Sequence, residues 1–596
     1  MKLAPALLAL PALLLALGAG AADEAAAPRR PNIVFVLLDD AGFSDFGAYG
    51  SEIATPNIDA IAQQGVRFTN FHTASTCESS RTMLQSGVDH HRGGAGTLQV
   101  VIADNQRGQP GYEGYLSDRV HSLGQLLHDA GYATYYSGKW NLGQGAERAP
   151  GARGWERYFA LENTGADNYE ARVYAPFNRE AVWWEDGKKA ALPPDFYSSH
   201  DYVSKLVQYV DEGRKKADKR PFMAMLAFQA VHSPLQVPAR YTDKYLKRYD
   251  EGWAAVREER YQRQVKMGLV PAGLTMPAND GARDWNKLSP DERRTQAKKM
   301  AVFAGMLEAA DEELGRLRQH LKDIGELDNT VFIVMSDNGA DAYDLSQLNL
   351  PFRIWYRANN ALGYEQMGLK GSYVHYGQDW AEVSNTPLRL FKGTSAEGGM
   401  RVPFIVQMPA NSPGSAQPGR ITDQFAYATD FLPTVLDIAG VPRPPASDKL
   451  FPLTGKSLLP LIEGAASAPV HDATEAIGFE GTGGQALFQG GYKLMRNGTV
   501  DGNRWQLYDT AKDWTETNDL AAQQPERVQK MLAEVLRYNK TNGVILPGPG
   551  YNPLVQLLKN NAGVLVSQLG GIVAALLLIV LGVPALLLTW WLRRRR

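Results

Sequence analysis

The chain of 596 residues contains a single cysteine, Cys77. No intramolecular disulfide can form and a cysteine-rich zinc site is excluded, so the fold must rest on burial of a core, and the lone thiol needs its own explanation. Neither sign of charge is in excess: 62 Lys+Arg face 64 Asp+Glu, a formal net charge of −2. Without Lys2 and the four terminal arginines the body holds 57 basic against 64 acidic residues, and this mildly acidic balance argues against nucleic acid as a partner. There is no repeat of fixed period, and 44% hydrophobic with 21% charged residues is not a disordered composition. A phosphate loop is missing as well, because Gly455-Lys456-Ser457 lacks the upstream glycine such a loop needs.

Long Ala/Leu-rich runs are confined to the two ends. Met1-Lys2, the run Leu3 to Leu17 and Ala19-Gly20-Ala21 form the pattern of a secretory signal peptide, residues 1–22. Residues 564–592, apolar above all from Leu569 to Leu592, have the length of a transmembrane helix, with Trp590 and Trp591 near its end and the basic tail 593–596 beyond, which the positive-inside rule places in the cytoplasm. The expectation is an exported protein on the periplasmic or extracytoplasmic face of the inner membrane, held there by this helix. The stretch 546–563, with Leu546-Pro-Gly-Pro-Gly-Tyr-Asn-Pro553, cannot continue a helix at its start and predicts a linker.

Between these ends three apolar runs have the composition of buried strands: Asn32 to Leu38, Phe222 to Phe228 and Val331 to Met335. Each feeds polar residues into a loop, respectively Asp39-Asp40, His232-Ser233-Pro234 and Ser336-Asp337-Asn338-Gly339. Helical periodicity over Leu123 to Ala130, Tyr202 to Lys215 and Met300 to Ile324 alternates with them. The expected class is α/β, a large mixed but mostly parallel sheet flanked by helices over 31–445. From 446 to 545 short strands such as Gln485 to Phe488 and Trp505 to Tyr508, then a helix near Glu526 to Tyr538, predict a smaller C-terminal α+β subdomain. In open α/β sheets ligands bind at the carboxyl ends of strands, so the three loops are expected to converge.

Asp39, Asp40, Asp337 and Asn338 are hard oxygen donors and suit Ca²⁺ or Mg²⁺ rather than zinc, although an Asp-Asp pair after a strand also serves as a helix cap or a solvated turn. Cys77 lies in Ser75-Thr76-Cys77-Glu78-Ser79-Ser80-Arg81, where a Ser/Thr-rich approach meets good helix formers. At a helix N-terminus a thiolate or bound oxyanion is favoured, and a buried structural cysteine is the alternative. Asp89-His90-His91 is expected to be structural or at a substrate rim.

With these motifs the chain resembles the type I, formylglycine-dependent sulfatases, and among them the bacterial arylsulfatases of the alkaline phosphatase superfamily. The family signature Cys-x-Pro/Ala-x-Arg is met at Cys77 and Arg81. Around it, in the family's order, stand Pro31 to Asp40 with Thr55 to Asp59, Met83 to His91, Gly138-Lys139-Trp140, Ala230 to Pro234, Ser336 to Gly339, and Phe391-Lys392 with Glu397 to Pro403, so that the likeness spans about residues 31–540. The resemblance implies a sulfuric ester hydrolase acting on small sulfate esters. It implies Ca²⁺, or Mg²⁺, on Asp39, Asp40, Asp337 and Asn338 with Cys77 as a further ligand, and oxidation of Cys77 to formylglycine by a maturase. Arg81 would activate the hydrated aldehyde; Lys139 and Lys392 would neutralise sulfate oxygens; His232 would bind sulfate and assist departure of the alcohol.

Two positions differ from the family: Ser79 replaces its Pro or Ala, and Asn141 replaces its usual His, an amide that can hold a hydroxyl but is no base. Two alternatives accompany the sulfatase reading. One is a phosphodiester or phosphonate monoester hydrolase on the same site, the other a non-catalytic anion-binding protein of the same fold.

Overall fold

The computed structural model describes residues 29–577 except 217, 278–282, 411, 467 and 499–501, together with residue 594. Its centre is β1 (Asn32–Leu38), every residue of which is buried, because a strand covered on both faces has no side for polar groups. The other strands of the main sheet are β2 (Val66–His72), β3 (Ala133–Lys139), β4 (Arg157–Leu161), β5 (Trp183–Glu185), β6 (Lys188–Lys189), β7 (Phe222–Ala227), β8 (Thr330–Ser336), β9 (Arg401–Gln407), β10 (Arg420–Thr422) and β11 (Ala426–Tyr427). They run in the order β10-β2-β9-β8-β1-β7-β3-β4-β5-β6, with β11 beside β2. The segment β8-β1-β7-β3-β4 is parallel, and β9 and β5 pair antiparallel at its flanks.

Phe35, Met225 and Tyr136 occupy one register row, and side chains alternate across a strand, so the two faces can be assigned from contacts. Phe35 meets Phe431 of the helix Phe431–Ile438, and Met225 accepts from Gln85 of the helix Cys77–Ser86. On the opposite face Tyr135 meets Tyr209 of the helix Ser198–Lys215, which packs on the long helix Pro290–Asp323.

A second, antiparallel sheet of β12 (Ile477–Gly481), β13 (Gly484–Gln489), β14 (Tyr492–Arg496) and β15 (Gln506–Asp509) packs on the helix Pro525–Asn542 through Leu487, Leu494, Leu507, Met531 and Val535.

The expected transmembrane helix over 564–592 does not hold, nor does the membrane-anchored location drawn from it. Among the described residues no helix is long and apolar enough to cross a membrane. A helix does run from Pro553, inside the expected linker, to Leu577, but it lies on the body of the protein. Asn560 donates to the carbonyls of Val100 and Ile102, Gln568 to that of Asn178, and Lys559 pairs with Asp104. Leu557 and Leu565 are buried against Val101, Phe177 and Trp355. The docking face is thus mixed, with Leu557 and Leu565 beside Asn560 and Gln568. Residues 578–592 and the signal peptide 1–22 lie outside the described residues.

Candidate active site

Strand geometry explains why distant motifs meet. β1 and β8 are parallel neighbours in which Leu38 pairs with Ser336, so Asp39-Asp40 and Asp337-Asn338 leave the sheet side by side. β7 and β3 end at the same edge and deliver His232 and Lys139. β2 also ends there, separated by four residues from the helix that opens at Cys77. Antiparallel β9 begins there, preceded by Lys392, whose backbone N–H is held by Ala340 while that of Gly393 is held by Ser75. The expected residues therefore meet at one edge, most of them at the carboxyl ends of parallel strands and Lys392 ahead of an antiparallel one.

The centre consists of paired charges. Lys139 Nζ is 2.5 Å from Asp39 Oδ2, Lys392 Nζ is 2.7 Å from Asp40 Oδ1, and Arg81 donates to Asp337 Oδ2 through Nε at 2.8 Å. Arg81 NH1 also holds the carbonyl of Lys139 at 2.8 Å. Asn338 Nδ2 donates to Asp40 Oδ1 at 2.7 Å, and Asp40 N to Asp337 Oδ1 at 3.2 Å. Asp40 has a left-handed backbone, φ 64°. Burial, only partly offset by Lys139, pushes Asp39 up to about 7.

In this centre three carboxyl groups, of Asp39, Asp40 and Asp337, face three cations, those of Lys139, Lys392 and Arg81. Its oxygen set fits a hard divalent ion: Asp39 Oδ1 and Asn338 Oδ1 are buried without a hydrogen-bond partner, and ligand atoms of Asp39, Cys77 and Asp337 lie within 4.8 Å of one another. An added dication would make the centre attractive to an anion.

Cys77 is buried, and burial pushes its thiol up. Asn141, also left-handed at φ 54°, places Nδ2 3.7 Å from Sγ, and Thr164 Oγ1 is 3.9 Å away. Ser79 does not face this centre, since its hydroxyl donates to the carbonyl of Ala95 at 2.8 Å. His232 Nδ1 lies 2.6 Å from the carbonyl of Ser233, which can only accept, so Nδ1 carries the proton and Nε2, 3.8 Å from Asp40, is free to accept. Burial, then Lys392 and Lys139, holds this imidazole well below its usual range. Tyr174 packs edge-on against it at 5.3 Å.

Sequence reasoning missed Thr164, Tyr174 and Asp341. Asp341 forms a second carboxylate-imidazole group with Asp40 and His232, and lies 3.5 Å from His375. Its only sequence signal is its position three residues past Asn338. Cys77, Asn141, Thr164, His232, Asp341 and Lys392 open into one cleft of about 420 Å³.

Asp89-His90-His91 does not line the cleft and bridges distant elements. Asp89 accepts from His91 N at 2.9 Å and from Tyr538 at 2.8 Å, while His91 Nε2 lies 3.0 Å from Glu480 of β12. The group ties the main body to the second sheet and its helix. Burial opposes charge on His91, but hydrogen bonds to Asp89 and Glu480 outweigh it and raise the imidazole to about 9. A folded value above the ordinary 6.5 means stabilisation that is complete below about pH 6.5 and lost as pH rises through 9, up to about 3 kcal/mol. Urea unfolding at pH 7 and pH 9.5 should show this loss in the native chain and a much smaller one in His91→Gln.

The sulfatase family model matches residues 31–441, and that of the C-terminal part of N-sulphoglucosamine sulphohydrolase matches 391–542. An uncharacterized sulfatase of Schizosaccharomyces pombe is 36% identical over 88% of this chain and 96% of its own. An arylsulfatase of Klebsiella aerogenes is 32% identical over 75% of this chain and 94% of its own. Among solved structures, Ps i-CgsB in complex with k-i-k-neocarrahexaose superposes with a TM-score of 0.61 at 22% identity, covering 90% of this chain and 98% of that one.

Proposed function

The chain belongs to the sulfatase family and is a sulfuric ester hydrolase, and from this premise we propose that it cleaves small sulfate esters, aryl esters among them, at the edge where Cys77, Lys139, His232 and Lys392 meet. What carries the reading is the position of Cys77 Sγ: it is at the floor of an open cleft and beside an oxygen set with two unpartnered buried acceptors. When present, Ca²⁺ or Mg²⁺ on Asp39, Asp40, Asp337 and Asn338 supplies Lewis acidity at the sulfate, and Cys77 converted by a maturase to formylglycine supplies a hydrated aldehyde as nucleophile.

The chain's own residues do the remaining work. Lys139 and Lys392, fixed by Asp39 and Asp40, neutralise sulfate oxygens as charge reorganises. Arg81 acts from behind, holding Asp337 and the Lys139 carbonyl, and so positions one carboxylate and one cation together. His232, with its proton on Nδ1 held by the Ser233 carbonyl, has no N–H on Nε2 to give the ester oxygens, which leaves the Lys392 ammonium as the proton donor to the departing oxygen. In sum the S–O bond breaks, the alcohol oxygen gains a proton, and water supplies the hydroxyl that leaves with sulfate.

Asn141 can hold a hydroxyl in the cleft but cannot take its proton. Asn141→His should therefore raise kcat for 4-nitrophenyl sulfate by about 10²-fold, the lower range of general-base effects. An unchanged kcat would show that another group already takes that proton. The overall reading is tested by comparing 4-nitrophenyl sulfate with 4-nitrophenyl phenylphosphonate under steady-state conditions. Faster turnover of the sulfate is expected; a faster phosphonate would replace this reading by the phosphonate monoester hydrolase.

A further inference from the structure

The cleft has two unlike halves. Its floor is polar and holds Cys77, Asn141, His232, Asp341 and Lys392, whereas Leu98, Val101, Phe177, Leu345, Leu554 and Leu557 give the rest a broad apolar surface, interrupted by neutral amides such as Gln99, Asn178 and Asn552. Leu554 and Leu557 come from the first turns of the helix Pro553–Leu577, so the stretch expected to be a linker lines the candidate active site. Its seat is fixed at several points. Asn552 caps the first turn through Leu554 N at 2.9 Å, Tyr551 donates to the Val101 carbonyl at 2.8 Å, and Asn560 bridges the carbonyls of Val100 and Ile102.

Charge in the cleft is equally one-sided. Among the described residues the charged or titratable side chains that line it, besides the Cys77 thiol and two tyrosines, are Glu78, Glu162, Asp341, His232 and Lys392. The two that can be cationic belong to the floor, and no arginine or second lysine lines the outer half. A substrate with a second sulfate or a carboxylate would bring that anion toward Glu78, Glu162 and apolar carbon with no second cation to pair it.

We propose that the helix Pro553–Leu577 is the specificity wall of this site, and that the alcohol portion of the substrate is an uncharged apolar group, a medium-length alkyl or alkyl-aryl chain bearing a single sulfate. This deepens the sulfate-ester reading above and rests on it for the floor of the cleft. Leu554 is the residue to test, because it is 44% exposed and a polar substitution there leaves the buried contacts of Leu557 in place.

The experiment separates binding from turnover. Calorimetric titration of the full chain carrying Cys77→Ala, which cannot consume its ligand, uses methyl sulfate, octyl sulfate and glucosamine 6-sulfate. Octyl sulfate should bind about 100-fold more tightly than methyl sulfate, since burying half of its seven additional methylene groups is sufficient at about fourfold each. Adding Leu554→Glu should weaken octyl sulfate by about tenfold and leave methyl sulfate unchanged. Equal affinity for the two alkyl sulfates, tightest binding of the sugar sulfate, or octyl sulfate indifferent to Leu554→Glu would each overturn the wall. Sulfate release by the native chain gives the other arm. Hydrolysis without chain-length preference in binding removes the wall and keeps the hydrolase; selective binding with no sulfate released from any ester keeps the wall and removes the proposed reaction.

Discussion

Replacement of Cys77 by alanine is expected to lower kcat/KM for 4-nitrophenyl sulfate by about 10⁴-fold or more, the scale of losing a nucleophile, while the melting temperature moves by only about 2 °C. The two halves of this expectation have different causes. The side chain's polar neighbours are Asn141 Nδ2 at 3.7 Å and Thr164 Oγ1 at 3.9 Å, both too distant to leave a costly unpaired group when sulfur is removed. The paired charges of Asp39, Asp40 and Asp337 are satisfied by Lys139, Lys392 and Arg81 without it. Cys77→Ser sharpens the test, because a serine hydroxyl can attack sulfur but has no second hydroxyl with which to expel sulfate. It should release at most about one equivalent of alcohol and then stop. Mass spectrometry of the peptide Phe68 to Arg81 of the native chain reads the same chemistry directly, as CHO in place of CH₂SH. Turnover by Cys77→Ala comparable to that of the native chain would end the nucleophile assignment.

The convergence of the site was legible for a simple reason. Buried parallel strands are written as continuous apolar runs, and the residues next in the chain must emerge at the carboxyl edge of the sheet. Asp39-Asp40, His232 and Asp337-Asn338 could be placed together on that rule alone, three hundred residues apart. Lys392 could not, since it precedes an antiparallel strand, and only the ordered likeness to the sulfatases pointed to it. Thr164, Tyr174 and Asp341 come from long irregular loops, where nothing in local periodicity aims a side chain. The long helix shows a signal present but unread: apolar periodicity suggested a start at Met300, yet Ser289-Pro290-Asp291-Glu292 is a capping box with proline at the first position, and the helix starts at Pro290. At the C-terminus the misreading had the opposite cause. Hydropathy measures a segment against lipid or water, whereas the helix Pro553–Leu577 is decided by partners such as Asp104 and the Val100 carbonyl, more than four hundred residues away in sequence.

Lys392→Met should separate the two duties of its ammonium. Lys392 and Asp40 are both buried, and removing one member of such a pair leaves an uncompensated charge, a loss of about 3–5 kcal/mol in metal-free protein. Asn338 Nδ2, at 2.7 Å from Asp40, supplies a hydrogen bond but no charge and cannot replace it. A dication on Asp39, Asp40, Asp337 and Asn338 would supply charge at the same oxygens, so saturating Ca²⁺ should recover most of the lost stability in urea unfolding. It should not recover turnover, which is expected to stay about 10³-fold below the native chain, because the cation facing the sulfate and the departing oxygen is still missing. The pairing of outcomes is what discriminates. Stability that stays low with Ca²⁺ present would place the ion away from Asp40, and activity that returns with it would make Lys392 a structural partner of Asp40 rather than a group that touches the ester.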